Sequence, residues 1–501
     1  MRSIYLLLKS REEPGIAELN RAFGSAATLV RDQAEGQFVG AFDTFDWRFL
    51  SRGELILDDG ERFRRYSIED DRPIDEWRNG DGPPTEVVGV AGVRAILPVA
   101  RWQRSYHTFR LTDDQSKTIG RVTSYVVSGD TGLFALRIDP LRGYDGACDR
   151  TVREARERFQ SSLLTGSEAV FTSLLSSGGR PAGAYQTAVS LRLSPEMPPR
   201  EGYQELLDYF LSTVEETTPG VIGAWDSEFL HDYRVALRRL RSATSQMKKV
   251  MPSGLGATLS AELKALFQPT GRARDLDVLL LSRQEYIALL PPALVKGVAL
   301  YFDRVEEERA RAYEALRSKL TSPEHDARLA RLRSAANQSR PSDGEWDETK
   351  PLGARVQRWT KKRVSRVEGE LEKLESSGSE AAYHALRIEC KKLRYLLEIF
   401  ASLFRSKQLR SMTKALKRFQ DALGANQDLV VQQELLSGTL KQLRAGMSPA
   451  QEVQVAASIG GLLAELHRRE PDLKAALRSE TRRFKKIVPE LRVLKTVGEV
   501  K

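Results

Sequence analysis

The sequence predicts an α+β, multidomain chain, with an N-terminal antiparallel β-sheet or barrel followed by an all-α domain. Residues 1–150 contain short β-prone runs separated by Gly- and Asp-containing turns. From 203 to 495 the apolar residues recur at helical spacing. A Pro-rich segment, 194–201, separates the β-prone part from the helical part. A length of 501 residues leaves room for both parts.

Six runs in the first part have the composition of strands, at 3–8, 37–44, 54–68, 102–111, 120–128 and 132–141. Residues 71–84 are polar and rich in Gly and Pro, which predicts a long loop. Residues 146–175 are predicted to form a helix. The first domain is therefore expected to cover 1–200.

The second part is predicted to consist of helices of about 15–30 residues, which is typical of helical bundles. Breaks are expected near 217–220, 251–254, 269–271 and 291–292, and the longest spans 337–353. This domain is expected to cover 203–495, with one bundle at about 203–336 and a second at about 354–495.

The charge of the chain is unevenly distributed. The net charge is +10, but residues 1–200 hold 27 basic and 28 acidic side chains, whereas 201–501 hold 51 and 40. A basic domain of this kind indicates a polyanionic partner. Two cysteines, Cys148 and Cys390, exclude a disulfide scaffold and a thiolate-rich metal site. The sequence predicts neither a membrane span nor a signal peptide, so we expect a cytoplasmic protein.

The helical part contains an internal repeat with an offset of 153 residues. HDYRVALRRLR at 231–241 aligns with HALRIECKKLR at 384–394, and every basic position of the first copy is basic in the second. GRARDLDV at 271–278 aligns with GANQDLVV at 424–431 at the same offset. Two ungapped matches at one offset predict two homologous bundles in tandem.

On a helix, the repeated bases form one narrow face. His231, Arg234, Arg238 and Arg241 form what we call the first ridge, opposite an apolar stripe. The second ridge consists of His384, Arg387, Lys391 and Arg394. Like charges at these spacings repel, so a ridge without interleaved carboxylates is expected to face anions. Arginine offers bidentate donors to phosphate oxygens, and lysine offers a mobile point charge.

Alternative roles for these residues are a solvated helix face or ion pairs with neighbouring helices. The histidines could be packing or capping residues, and neither has a partner at metal-ligand spacing. Asp275 and Asp428 recur, but Asp277 is replaced by Val430. We therefore expect a structural role for these aspartates, such as capping a helix or holding a ridge arginine, and we predict no metal site and no cofactor.

The quoted motifs, together with FQDALGANQDLVV at 419–431, resemble the CHAD family, the conserved histidine α-helical domain, over about 205–495. The resemblance implies an all-α fold of two pseudo-symmetric bundles that binds inorganic polyphosphate and can localise to polyphosphate granules. It implies that the phosphate contacts are the histidine and basic positions of both copies: His231, Arg234, Arg238, Arg239, Arg241, His384, Arg387, Lys391, Lys392 and Arg394.

Residues 1–200 are similar to a CYTH domain, a triphosphate tunnel of antiparallel strands, through FDTFDWRFLSRGELIL at 42–57. The family's first strand carries Glu-x-Glu-x-Lys, of which only Lys9 survives here. Metal-assisted hydrolysis needs carboxylates that place the cation, so we predict a degenerate domain with no catalytic residues. The surviving bases could line a phosphate-binding surface or be ordinary surface charges: Arg62, Arg64, Arg65, Arg101, Arg104 and Arg110.

These observations predict a non-enzymatic polyphosphate-binding protein, located in the cytoplasm and at polyphosphate granules. The first alternative is a triphosphatase or nucleotide-processing enzyme that uses the N-terminal domain. The second is a nucleic-acid-binding protein, although the helical half has no helix-turn-helix or zinc signature. No membrane partner is expected, and the sequence leaves the oligomeric state open.

Overall fold

A computed structural model describes residues 4–9, 16–23, 28–69, 72–127, 133–159, 162–164, 189–337, 345–442 and 447–492, with a few isolated positions besides. The chain divides into two compact units, Met1–Ala188 and Val189–Lys501. The Pro-rich segment predicted as a linker lies within the second unit. There the carbonyl oxygens of Pro195 and Met197 accept hydrogen bonds from the backbone N–H groups of Gly353 and Leu352, each at 2.9 Å.

The described strands of the first unit form one antiparallel sheet, as predicted. Along the sheet they run in the order β5-β4-β3-β2-β6-β7-β8-β1-β9. The strands are β1 Ile4–Lys9, β2 Thr28–Thr44, β3 Glu54–Asp58, β4 Arg62–Ser67, β5 Arg72–Arg78, β6 Ile96–Thr112, β7 Thr118–Val127, β8 Leu133–Pro140 and β9 Ser162–Leu164. This sheet is compatible with a CYTH-like fold.

The helices described beside the sheet are α1 Ile16–Phe23, α2 Thr85–Ala91 and α3 Asp145–Phe159. Apolar side chains of α1 and α3, including Leu19, Phe23 and Val152, form one buried cluster with Leu136 and Ile138 of β8. Burial of this apolar surface supplies the main favourable term for folding of the unit.

Two predictions for this unit are wrong. Residues 71–84 were expected to be a loop, but they contain β5, where Trp77 stacks on Phe63 of β4 with ring centroids 5.5 Å apart. Cross-strand pairs of this kind stabilise a sheet and are not visible in local composition. The helix expected over 146–175 is interrupted, because α3 ends at Phe159 and residues 162–164 form β9, which pairs with β1; most of 165–175 lies outside the described residues.

The second unit is helical. Its helices are α4 Pro199–Ile222, α5 Ser227–Met247, α6 Leu255–Phe267, α7 Gly271–Leu281, α8 Arg283–Leu289, α9 Pro292–Leu320, α10 Pro323–Asn337, α11 Leu352–Ser377, α12 Glu380–Ile399, α13 Ser406–Gln442 and α14 Pro449–Arg492. Helices α11 and α12 begin 153 residues after α4 and α5, so the sequence repeat is also a structural repeat. None of the described helices is long and apolar enough to cross a membrane.

A proline explains one difference in helix boundaries between the two halves. The first half is interrupted between α6 and α7 by a 3₁₀ turn, Gln268–Thr270, that contains Pro269. The second half has Ala422 at the related position, and α13 continues there without interruption. Proline lacks the N–H and clashes with the preceding turn, so Pro269 accounts for this interruption.

The breaks expected near 251–254, 269–271 and 291–292 are confirmed. The break expected at 217–220 is wrong, because α4 continues through Pro219 to Ile222. Pro219 lies in the last turn, where a helix already leaves carbonyl groups without intrahelical donors. The Thr218 hydroxyl nearby donates to the carbonyl oxygen of Val214 at 2.6 Å, which helps to satisfy this turn.

The two halves share one core. Leu276, Tyr286 and Phe302 of the first half cluster with Val455 and Ile459 of the second half. At Gly297 the helices α9 and α14 come so close that an added Cβ would lie 2.1 Å from the Gln454 carbonyl oxygen. The halves are therefore packed against each other over a large apolar area and hold α5 and α12 in a fixed relation.

Candidate functional site

The two helices that carry the ridges begin with related caps. Asp226 precedes α5, and its carboxylate accepts hydrogen bonds from the N–H groups of Glu228 and Phe229 at 2.8 and 3.1 Å. Ser379, 153 residues later, precedes α12 and accepts a hydrogen bond from Ala382 at 3.3 Å. Such caps satisfy free N–H groups and fix the helix start, so both ridges are set in the same register.

The apolar stripes opposite the ridges are buried. In α5 they include Phe229, Tyr233 and Leu240, each with no exposed surface. In α12 the corresponding positions include Leu386 and Leu393, which are also fully buried. Because these stripes anchor both helices in the core, the basic face of each helix is turned toward the surface.

In the first ridge, two arginines are oriented by residues that the sequence analysis did not identify. The Arg234 guanidinium donates to the Thr270 hydroxyl and lies 4.3 Å from the Phe267 ring centroid. The Arg241 guanidinium lies 5.1 Å from the same centroid. Stacking of this kind leaves the in-plane N–H groups free to donate. Phe267 and Thr270 lie between the two repeat motifs, where no pattern marked them.

In the second ridge, α13 supplies the neighbouring groups. His384 Nδ1 lies 3.3 Å from the Gln427 side-chain oxygen. The Arg387 guanidinium lies 3.9 Å from the Asp428 carboxylate, beyond hydrogen-bond distance. His384 is exposed, whereas Arg387 is half-buried. The polar groups of this ridge are therefore only loosely held.

The two ridges meet, which the sequence did not predict. Helices α5 and α12 pack against each other. Burial, together with the positive charges of Arg387, Arg238 and Arg394, lowers the pKa of Lys391 to about 8. Arg238 belongs to the first ridge and Lys391 to the second, so cations of the two halves lie close enough to repel each other. We call the set Arg234, Arg238, Arg387, Lys391 and Arg394 the composite basic surface.

Several donors of the composite basic surface lack acceptors within the described part of the chain. The Nε atoms of Arg238 and Arg387 are buried and make no hydrogen bond there, whereas that of Arg394 lies 3.4 Å from the Glu398 carboxylate. Burial and the nearby positive charges of Arg238 and Arg274 also lower the pKa of Arg234 to about 10, against the effect of Asp275. Such a cluster is destabilised in the absence of an anion, so it favours binding of one.

Two of the predicted contacts outside the ridges donate hydrogen bonds to carboxylates in the described part of the chain. Arg239 donates to Glu398 of α12 at 3.1 Å, and Lys392 donates to Glu389 at 2.6 Å. Both residues lie off the ridges, about 80° around the helix from the nearest ridge position. His231 is half-buried within α5. The structure thus brings together the residues of the composite basic surface. Arg239 instead joins the two halves through its ion pair with Glu398.

The aspartates of the repeat contact arginine or tyrosine. Asp428 lies beside Arg387, and Asp275 acts electrostatically on Arg234, which holds the related position. Asp277, by contrast, is buried and accepts hydrogen bonds from Arg309 at 2.6 Å and Tyr313 at 2.7 Å. Among the described residues no group of three or more His, Cys, Asp or Glu side chains could hold a metal ion.

In the first unit, three of the surviving bases form ion pairs across β4 and its neighbours. Arg62 and Arg64 pair with Glu76, and Arg65 pairs with Asp75 at 3.0 Å. Arg101 and Arg110 are exposed, while the side chains of Lys9 and Arg104 lie outside the described residues.

The Asp-Thr segment of the first unit has a structural role. The buried Asp43 carboxylate accepts backbone hydrogen bonds from Thr44, Phe49 and Leu50 at 2.6, 3.0 and 2.8 Å. Burial raises its pKa to about 6, although these hydrogen bonds oppose that shift. Asp43 therefore holds the turn that follows β2.

Comparison with known proteins identifies the helical unit. Residues 205–437 match the family model of the CHAD domain. The crystal structure of the CHAD domain from the plant Ricinus communis is 27% identical, covers 62% of this chain and 98% of its own, and gives a TM-score of 0.48. PptA from Streptomyces chartreusis is 15% identical, covers 57% and 99%, and gives 0.41. No curated protein sequence matches. Residues 205–437 of the helical unit therefore match the CHAD domain family.

Proposed function

We propose that this protein binds inorganic polyphosphate on the composite basic surface and does not catalyse its hydrolysis. The main support for this proposal is that the two ridges lie close together. Helices α5 and α12 pack against each other, and Arg238 of α5 and Arg387 of α12 both lower the pKa of Lys391. A linear chain with one negative charge per phosphate suits a row of closely spaced cations that outnumber the carboxylates beside them.

The family match supports the same ligand, because the resemblance of these motifs to CHAD domains implies polyphosphate. The proposed contacts are His231, Arg234, Arg238, Arg241, His384, Arg387, Lys391 and Arg394, with Arg239 and Lys392 at the edge. On this proposal the protein is located in the cytoplasm and at polyphosphate granules, which a fluorescent fusion tests. Dispersal when polyphosphate synthesis is blocked is the expected result.

The decisive experiment compares binding of the full chain to long-chain polyphosphate and to single-stranded DNA of equal charge. Polyphosphate is expected to bind more tightly, with an affinity that falls steeply with salt. A variant with Arg234, Arg238, Arg387 and Lys391 changed to Glu is expected to lose binding. The matched control changes four exposed lysines to Glu, Lys361, Lys362, Lys414 and Lys417, and is expected to retain most of it.

Equal binding of both polymers would favour the nucleic-acid alternative. Loss of binding in the control variant alone would contradict the proposed surface. The enzymatic alternative is tested by incubating the chain with tripolyphosphate or ATP and Mg²⁺ or Mn²⁺. We expect no turnover, and turnover that disappears when Lys9 is replaced would overturn the proposal of a non-catalytic N-terminal domain.

A further inference from the structure

The two halves of the helical unit differ at one position beside the ridges. The 153-residue repeat places Gln420 where the first half has Phe267, the ring on which Arg234 and Arg241 stack. The Gln420 side chain is only 6% exposed. Neither its oxygen nor its nitrogen makes a hydrogen bond within the described part of the chain. A buried amide without partners is destabilising, so this position needs a physical explanation.

The register of α12 and α13 indicates where Gln420 lies relative to Lys391. The two helices pack against each other and are joined by the short segment 400–405, so they run in opposite directions. The contact between His384 and Gln427 fixes their register. Seven residues, about two helical turns, lead from Gln427 back to Gln420 along α13. The same number leads from His384 forward to Lys391 along α12. We infer from this register that the Gln420 amide and Lys391 lie at the same level of the helix pair.

Other donors of the composite basic surface lie near this level of the bundle. Lys391 is half-buried, and Arg387 and Arg394 lie one turn to either side of it on α12. The buried Nε atoms of Arg387 and of Arg238 on α5 make no hydrogen bond within the described residues, and Arg394 Nε lies 3.4 Å from the Glu398 carboxylate. A tetrahedral phosphate group offers several oxygens to such a set of donors. A neutral amide adds an N–H donor without adding to the mutual repulsion of the cations.

We propose that Gln420 is a specificity-determining residue that donates its side-chain amide to a phosphate oxygen held against Lys391. This inference rests on the proposed function and deepens it. The first half orients its arginines on the ring of Phe267, whereas the second half replaces the ring with a direct donor. The two halves of the composite basic surface are then unequal, and the second half holds a phosphate group with the larger number of donors.

The test is the Gln420→Leu variant of the full chain, measured for thermal stability and for affinity to long-chain polyphosphate over a series of salt concentrations. The melting temperature is expected to stay the same or rise, because an unpaired buried amide is removed. Affinity is expected to fall about tenfold, as for one hydrogen bond to a charged group. The slope of log affinity against log salt is expected to remain unchanged, since no charge is lost.

Further variants separate the loss of the Gln420 amide from the loss of a charge and from a general effect of replacing a glutamine. Lys391→Ala removes a cation and is expected to reduce the salt slope by about one, which Gln420→Leu does not. Gln432→Leu makes the same chemical change twelve residues further along α13 and is expected to leave affinity unaltered. Gln420→Met keeps an unbranched side chain of similar length and is expected to behave like Gln420→Leu.

If the wild type binds polyphosphate and Gln420→Leu binds equally well, the inference is overturned and the proposed function stands. A melting temperature that falls in both Gln420 variants, or their failure to fold, shows that the amide has a packing role and also overturns it. If the wild type does not bind polyphosphate, both the proposed function and this inference are rejected.

Discussion

Arg239 of α5 donates a hydrogen bond to the Glu398 carboxylate of α12 over 3.1 Å, so that one ion pair joins the two halves of the helical unit. Glu398 also lies 3.4 Å from Arg394 of the composite basic surface. A single carboxylate thus links the packing of the halves to the charge of the surface. Its removal is expected to change stability and binding in opposite directions.

Glu398→Gln is expected to reduce the free energy of unfolding by about 1 kcal/mol, because a partly buried ion pair is lost. Affinity for polyphosphate is expected to rise several-fold, since a competing negative charge disappears. Chemical denaturation and a binding titration measure the two effects. Glu375→Gln removes a carboxylate that pairs with Lys485 and serves as the control. An equal gain in affinity in both variants would contradict a local effect.

Phe267 is expected to contribute to binding although it cannot contact phosphate through a polar group. Phe267→Leu removes the ring beneath Arg234 and Arg241, and we expect a several-fold loss of affinity, corresponding to about 1 kcal/mol. Phe267→Tyr keeps the aromatic face and should bind like the wild type. Fluorescence anisotropy with labelled polyphosphate checks this. Equal affinities for the leucine and tyrosine variants would exclude an orienting role for the ring.

The pH dependence of binding is expected to follow Lys391. Its pKa of about 8 in the free protein means that the ammonium form, which binds anions, is lost as the pH rises through this value. Bound phosphate favours the charged form, so binding takes up a proton above the free pKa. Affinity is therefore expected to fall several-fold between about pH 7 and about pH 9.5.

Lys391→Arg provides the control for this pH dependence, because a guanidinium stays charged over the whole range. In that variant the fall in affinity between about pH 7 and about pH 9.5 is expected to be much smaller. A small decrease near the upper end is expected to remain, because the pKa of Arg234 is about 10. A wild-type affinity that does not change with pH would contradict the assignment of Lys391 to the binding surface.

Asp277 and Asp275 are expected to behave differently although only one residue separates them. Asp277→Ala leaves Arg309 and Tyr313 without their buried acceptor and is expected to cost about 3 kcal/mol of stability, with polyphosphate affinity retained. Asp275→Asn is expected to leave stability nearly unchanged and to raise affinity, since a charge that opposes anion binding near Arg234 is removed. Thermal unfolding and binding titrations separate the two outcomes.

The close approach of α9 and α14 makes Gly297 sensitive to substitution. A Cβ at this position would lie 2.1 Å from the Gln454 carbonyl oxygen and 2.2 Å from the Ser458 hydroxyl oxygen. Gly297→Ala is therefore expected to destabilise the protein by about 3 kcal/mol or more. Gly460→Ala, on α14 with open space around the added atom, should stabilise the helix by up to about 1 kcal/mol. Equal melting temperatures would show that the helices separate easily.

The sequence repeat predicted much of the helical unit, because a duplicated pattern carries both the helical spacing and the register. The ridge composition followed from residues such as Arg234 and Lys391 at fixed helical spacing, and the buried stripe followed from Phe229 and Leu386. Local sequence patterns predicted the wrong secondary structure where contacts with residues distant in the sequence determine it. Examples are β5, which pairs with β4, and the end of α3 at Phe159, after which β9 pairs with β1.

By itself the sequence determined the division of the chain into a β-rich and a helical part, the repeat and the residues of each ridge. These features depend on composition and on spacing along one helix. The tertiary structure decided that the ridges meet at Arg238 and Lys391, that Arg239 pairs with Glu398, and that Gln420 is buried with no hydrogen-bond partner among the described residues. These relations depend on how helices from different halves pack, and packing is set by side-chain shape across the shared core.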